Sequence, residues 1–346
     1  MTILFWLALA TLFIWLLLAM DILRGNRSVV SLRDISPTPP DPAPRVSIIV
    51  AARNEERHLR LALESLRGLT YPNYELLMVN DRSDDATGAI LDEVAAADSC
   101  LTVIHVKELP SGWLGKNHAL WLGAQRASGE LLLFTDADVI MEPTTISRAV
   151  NLLECKRTDH LALTPSMTMP TTLLQMFGTT FIVFFSIFSR PWKARDPKSP
   201  HHIGIGAFNL LRATSYDAVG GHERIRLRPD DDLKLGKIVK LGGFRSDVAF
   251  APDFLSVEWY ASLGEVIRGL EKNAFAGCDY RITLPLFGGA FHLMVTVWPY
   301  LALLVTQGVT RFLNIAVVLV LTVIFMDCAT FHRGRRWQAI GFPLGT

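Results

Sequence analysis

Two hydrophobic rhythms divide the chain. From Ile3 to Met20 every residue except Thr11 is apolar, close to the roughly 20 residues that a helix needs to cross a hydrocarbon core. Ile282 to Thr306 contains no charged residue, and Phe312 to Met326 is apolar apart from Asn314 and Thr322 before it closes on Asp327. The first two runs predict membrane spans; the third predicts a shorter span, a helix lying against the second, or part of a longer one. Between them, short apolar runs alternate with segments apolar on one face only. Strands are predicted over Val46–Ala51, Glu75–Val79, Leu101–Val106 and Glu130–Phe134, and helices over Glu55–Leu69, Ala86–Ala97 and Asn117–Ala127. That succession is the pattern of a doubly wound α/β domain, whose mostly parallel sheet binds ligands beyond the carboxyl ends of its strands.

Two segments break the rhythm. Ser36 to Pro44 holds five prolines and predicts a stiff linker. Leu173 to Ser189 holds five phenylalanines, which is too apolar for a solvated loop. If it crossed a bilayer, the acidic groups on its two sides would be separated by the membrane, so it is expected to lie at the membrane interface, with a buried core helix as the plain alternative.

Composition agrees with a membrane chain: 50% of its 346 residues are hydrophobic, high for a soluble protein. A cleaved signal peptide would carry a basic stretch before its apolar run, and Met1 and Thr2 supply none, so an uncleaved anchor is expected. Basic residues follow the first run (Arg24, Arg27, Arg33), precede the second (Arg281) and follow the third (Arg333, Arg335, Arg336). By the positive-inside rule, these place the central domain in the cytoplasm of a multi-pass inner (cell) membrane protein. The net charge of +1 offers no surface for nucleic acid. Four scattered cysteines, Cys100, Cys155, Cys278 and Cys328, show no metal-ligand spacing and read as reduced thiols.

The polar motifs stand where the strands end. The first strand runs into Ala52-Arg53-Asn54-Glu55-Glu56, which ordinary capping of the next helix also explains. The second ends at Asn80-Asp81-Arg82-Ser83-Asp84-Asp85; capping accounts for the later residues, whereas Asp81 is placed to accept the imide N–H of a nucleobase. The fourth ends at Thr135-Asp136-Ala137-Asp138, two carboxylates at a range that is unfavourable unless a hard cation relieves it. Farther on, Arg228-Pro229-Asp230-Asp231-Asp232-Leu233-Lys234-Leu235 is either an acidic helix start or the source of a general base.

In this order and spacing, Val46–Glu56, Val79–Asp85, Thr135–Asp138 and Asp231–Leu235 resemble the family 2 glycosyltransferases. Gly112-Trp113-Leu114-Gly115-Lys116 and the glycine pair of Tyr216-Asp217-Ala218-Val219-Gly220-Gly221-His222 add to the likeness. The membrane-bound branch acting on carotenoids, hopanoid-type terpenoids or ceramide is the nearest in pattern. The resemblance implies a GT-A (Rossmann-like) catalytic domain over 45–280, containing the apolar segment 173–189. Around it stand an anchor over 1–24, a linker over 25–44 and a membrane region over 281–346.

The resemblance also implies roles. Ala51, Arg53, Glu55 and Asp81 would line the base and ribose pocket, and Lys116 would lie near the donor. Asp136 and Asp138 would hold ribose and the metal-bound diphosphate, with Mg²⁺ or Mn²⁺ as the metal. Asp232 would be the general base, with Asp231 its rival because Asp230 blurs the register. The implied partners are a nucleotide sugar, a lipid acceptor and the membrane. Where polymerising members and ceramide glucosyltransferases carry Q/R-x-x-R-W, this chain reads Arg268-Gly269-Leu270-Glu271-Lys272-Asn273, which disfavours a polysaccharide synthase. A nucleotidyltransferase would want a glycine-rich phosphate loop after the first strand, and a silent scaffold would not need carboxylates at every station.

Overall fold

The structure is a computed structural model that describes residues 2–278 and 280–339. Met1, residue 279 and residues 340–346, the end of the expected membrane region, lie outside the described residues. The chain forms two compact units, one of residues 29–167 and 191–258, the other of residues 1–28, 168–190 and 259–346.

The first unit is built on an eight-stranded sheet. Its strands are β1 (Val30–Ser31), β2 (Val46–Ala52), β3 (Tyr74–Asp81), β4 (Leu101–Val106), β5 (Leu131–Asp136), β7 (His160–Thr164), β9 (Asn209–Arg212) and β10 (Ser246–Phe250). A smaller sheet contains β6 (Ile140–Met141), β8 (Ser166–Thr168) and β11 (Leu255–Glu258). The large sheet runs in the order β1-β10-β7-β9-β5-β2-β3-β4. Only β9 is antiparallel to its neighbours; the pairs β2–β3, β2–β5 and β3–β4 are parallel.

The strands read as continuous apolar runs because both faces are covered. Ile48, Val50, Leu76, Met78 and Leu133 pack on one side with Leu63, Leu66, Ile146 and Leu153. Ile49, Leu77 and Leu132 pack on the other with Leu120, Leu235 and Ile238. Chain order leaves β2 in opposite directions toward β3 and β5, so the topological switch lies between β2 and β5, where such sheets bind ligands.

The predicted strands and helices all form, with shifted ends. The helix expected from Glu55 begins only at Leu59, because the preceding loop is pinned to the end of β3. Asn54 takes a left-handed φ of 58° and its side chain accepts from the Asp84 amide at 2.9 Å. The Glu55 amide donates to Thr87 Oγ1 at 2.8 Å. The proline-rich stretch, expected as a linker, is laid against the domain. Asn151 donates to the carbonyls of Ser36 and Thr38, Tyr71 to that of Pro44 at 2.6 Å, and Leu32 is fully buried.

The second unit is helical. Among the described residues, four helical stretches are long and apolar enough to cross a membrane, all in this unit apart from residues 191–193: Ile3–Ser28, Thr172–Lys193, Thr283–Val305 and Gly308–Phe331. The last extends the run expected to close on Asp327, because that carboxylate is held inside the unit by Arg27 at 3.0 Å and Asn26 at 3.0 Å. In the helix Thr172–Ser189, Gly178, Thr179, Thr180 and Ser186 are buried while Phe188 is 74% exposed. Leu174, Met176 and Val183 are buried beside them and the other four phenylalanines are half-buried, so the buried face mixes apolar with small and polar side chains.

Candidate active site

Parallel pairing brings the strand-end motifs together. Ala51 on β2 stands in register with Val79 on β3 and Asp136 on β5. The chain turns from β5 through Ala137 and Asp138, and Asp138 is pushed up to about 6 by burial and by the charge of Asp136. Glu55, on the loop after β2, is pushed up to about 7 by burial, then by Asp138 and Asp136. Three carboxylates thus oppose one another's charge at the switch point. Arg53 is exposed on the same loop.

Lys116, at the start of the helix Gly115–Arg126, binds the carboxylates from the other side. Its Nζ lies 2.8 Å from Asp136 Oδ1 and 3.4 Å from Asp231 Oδ2. Burial disfavours its charge, but Asp136, Asp231 and Asp232 outweigh that and hold it protonated. With 41% of its side chain accessible, the attraction is partly screened by solvent.

The acidic triplet resolves into three roles. Asp230 is bound by Arg228 through two hydrogen bonds of 2.9 and 3.0 Å and by Lys234 at 3.5 Å, so it is a neutralised structural residue. Asp231 is buried and faces Lys116; burial raises its pKa against the pull of that lysine. Asp232 is half-buried, accepts the Gly206 amide at 2.9 Å, and is pushed up to about 7 by burial and then by Asp231. The loop before the triplet is fixed by Asn117, which donates to the carbonyls of Ile225 and Arg228 at 2.8 and 2.9 Å.

One cleft is lined by Lys116, Asp136, Gly206, His222, Asp231 and Asp232. Gly206 and His222 were not singled out from the sequence as site residues. The signal available was a pair of glycines, Gly204 and Gly206, and a third inside a helix, Gly236. A Cβ on Gly204 would stand 1.8 Å from the Asp232 carbonyl oxygen, and one on Gly236 would stand 1.7 Å from that of Ile203. This backbone-to-backbone approach carries the 203–206 segment onto the helix Asp231–Leu241 and its amide onto Asp232.

Asp81 is placed differently. It is 3% exposed, its two oxygens take Arg82 Nε and Nη2 at 2.8 and 3.1 Å, and a Cβ on Gly115 would stand 2.1 Å from Oδ2. It therefore sits against the N-terminus of the helix Gly115–Arg126, whose unpaired amides and dipole favour an anion. Arg82 adopts a left-handed φ of 54°.

Among the described residues no three His, Cys, Asp or Glu side chains are arranged to hold a metal ion by themselves. The donor set that exists, two strand-end carboxylates with a third close enough to repel them, suits a hard divalent cation that takes its other ligands from phosphate oxygens and water.

The sequence profile of glycosyl transferase family 2 matches residues 47–220. A 4,4'-diaponeurosporenoate glycosyltransferase of Staphylococcus haemolyticus is 36% identical over 243 residues, 68% of this chain and 62% of that protein. A putative glycosyltransferase of Bacillus subtilis, EpsH, is 39% identical over 100 residues, 29% of this chain and 28% of that protein. The chain thus spans less than two thirds of the length of these curated relatives. Among solved structures, the mannosyltransferase PcManGT of Pyrobaculum calidifontis, in complex with GDP-mannose and Mn²⁺, matches with a TM-score of 0.60 at 18% identity over 99% of each chain. A likeness at that identity establishes the GT-A fold.

Proposed function

Because the chain belongs to glycosyl transferase family 2, we propose that it moves a sugar from a UDP- or GDP-sugar to a lipid or lipid-linked acceptor. The observation that carries this reading is the convergence of Lys116, Asp136, Asp231 and Asp232 in one cleft at the ends of β5 and the helix Asp231–Leu241. A hydroxyl acceptor needs a base, and a phosphate-linked leaving group needs positive charge. The cleft supplies a carboxylate with a pKa near neutrality beside a lysine held protonated.

In the proposed reaction Asp232 accepts the acceptor hydroxyl proton on a carboxylate oxygen as the oxygen bonds to the anomeric carbon. The bond to the nucleoside diphosphate breaks on the opposite face, so the configuration inverts. The Gly206 amide fixes the orientation of Asp232, Lys116 opposes the rise that burial imposes on Asp231, and the charge of Asp231 raises the basicity of Asp232. Asp138 and Asp136 would hold Mg²⁺ or Mn²⁺, which supplies charge against the departing diphosphate. Ala51, Arg53, Glu55 and Asp81 form the proposed nucleoside pocket, with Asp81 exchanging its Arg82 partner for the base.

The lipid acceptor is supported by the apolar second unit and by the 4,4'-diaponeurosporenoate in the name of the staphylococcal relative. The helix Thr172–Ser189 joins residues 167 and 191 of one unit, so both its flanks lie on one side of the bilayer, and it is proposed to lie in the leaflet. The positive flanks support the reading that this side is the cytoplasmic face of the inner (cell) membrane. The test is nucleotide release by the purified full chain from a panel of UDP- and GDP-sugars, with and without membrane lipids. Release stimulated by lipid supports the reading, and no release from any donor contradicts it.

A further inference from the structure

A buried pair, Tyr216 and His222, borders the cleft without a part in the mechanism above. Tyr216 is 3% and His222 1% exposed. The Tyr216 hydroxyl lies 3.0 Å from His222 Nδ1 and accepts the His222 backbone amide at 3.1 Å. The contact is built in: Gly221 has a φ of 44°, and a Cβ there would stand 2.2 Å from the Tyr216 ring. The imidazole also meets the Phe134 ring edge-on, with centroids 4.7 Å apart.

These contacts decide the tautomer. A phenol has one proton to donate and can accept two. The backbone amide is an obligatory donor, so it takes one acceptor position on the Tyr216 oxygen. Were Nδ1 also protonated, the phenolic proton would be left in a buried site with no acceptor among the described residues, an unfavourable state. The hydroxyl therefore donates to Nδ1, and the ring proton resides on Nε2. Nε2 has no hydrogen-bond partner among the described residues, and His222 is one of the residues that line the cleft with Lys116, Asp136 and Asp231.

We propose that His222 is a neutral hydrogen-bond donor to an oxygen of the transferred sugar, locked in its Nε2–H tautomer by Tyr216 as a positioning residue; this rests on the glycosyltransferase reading. A neutral donor is what this place allows. Burial and the nearby Lys116 charge push the His222 pKa down to about 3, so the group orients an oxygen and leaves the proton transfer to the carboxylates.

The bland alternative is a satisfied core histidine, and isosteric amides separate the two. The amide nitrogen of glutamine falls near Nε2 and that of asparagine near Nδ1. The full-length protein and its His222→Gln, His222→Asn and Tyr216→Phe variants are compared for kcat and KM on UDP-glucose and GDP-mannose, using whichever the wild type turns over, with melting temperatures alongside. His222→Gln should fall only a fewfold, and His222→Asn by about tenfold to a hundredfold in kcat/KM, as for loss of a hydrogen bond made in the site. Tyr216→Phe, which frees the tautomer, should lie between them. Equal activities for Gln and Asn, or losses that merely follow the melting temperatures, would overturn the proposal while an active wild type leaves the glycosyltransferase reading standing. A wild type inert toward every donor overturns both.

Discussion

Gly206 donates its amide to Asp232 Oδ2 at 2.9 Å, and the face of Gly206 that lacks a side chain lies against Asp136: a Cβ there would stand 2.6 Å from Asp136 Oδ2 and 3.6 Å from Asp232 Oδ2. One residue without a side chain thus separates the strand-end carboxylate from the proposed base.

Gly206→Ala should therefore displace one or both carboxylates while leaving the sheet intact. Misplacement of reacting groups on this scale costs on the order of 10²-fold in rate. The expected result is a large fall in kcat with a melting temperature near that of the wild type. Unchanged kcat would show that the spacing between Asp136 and Asp232 is immaterial.

Lys116→Met removes the cation that Asp136 and Asp231 share. Its charge lowers the pKa of both Asp231 and Asp232, so its loss should raise them further and move the acid limb of the pH–rate profile to higher pH. Activity at neutral pH should fall by roughly 10² to 10³. A lower rate with an unmoved profile would mean that Lys116 acts on the donor alone.

Asp232 gives a stability signature that needs no substrate. Its folded-state pKa of about 7 lies above the ordinary value of 3.8, so between those values the folded protein holds a proton that the unfolded chain has released. Stability from this group is present below about pH 4 and lost as the pH rises through about 7. Asp232→Asn cannot ionise and should escape that loss. Its melting temperature relative to the wild type should be higher at pH 8 than at pH 4.5; the same difference at both values would contradict the raised pKa.

Removing the metal should weaken donor binding. Calorimetric titration of UDP or GDP into the wild type should show tighter binding with Mn²⁺ than in EDTA, and Asp138→Asn should erase most of that difference. Equal affinities in EDTA and Mn²⁺ would exclude Asp138 and Asp136 from metal binding.

The α/β domain and the carboxylates at its strand ends were legible because both follow from short-range pattern. A parallel strand buried on both faces must be an unbroken apolar run, and the first polar residues after Val50, Val79 and Phe134 must fall at the sheet's edge. Residues placed by long-range contact were not legible. Asp230 looks like a member of a catalytic cluster until Arg228 and Lys234 are seen to neutralise it. The end of the last long helix could not be read because the partners that let it continue past Asp327 are Asn26 and Arg27, about three hundred residues away. Gly206 and His222 carry no charge and sit in no acidic run. Gly206 is brought to the cleft with the close backbone approach of Gly204 to Asp232, and His222 with the packing of Gly221 on the Tyr216 ring.

The most direct test follows the sugar itself. The purified full chain is incubated with Mn²⁺, a donor from the UDP- and GDP-sugar panel labelled at the anomeric carbon, and a membrane lipid extract, and the organic phase is examined by NMR. The expected result is labelled sugar linked to lipid with the anomeric configuration inverted relative to the donor. In Asp232→Asn transfer should fall by about 10² to 10⁴ while nucleotide binding persists. Retained configuration, or an Asp232→Asn protein that transfers at the wild-type rate, would contradict the assignment of this cleft as an inverting glycosyl-transfer site with Asp232 as its base.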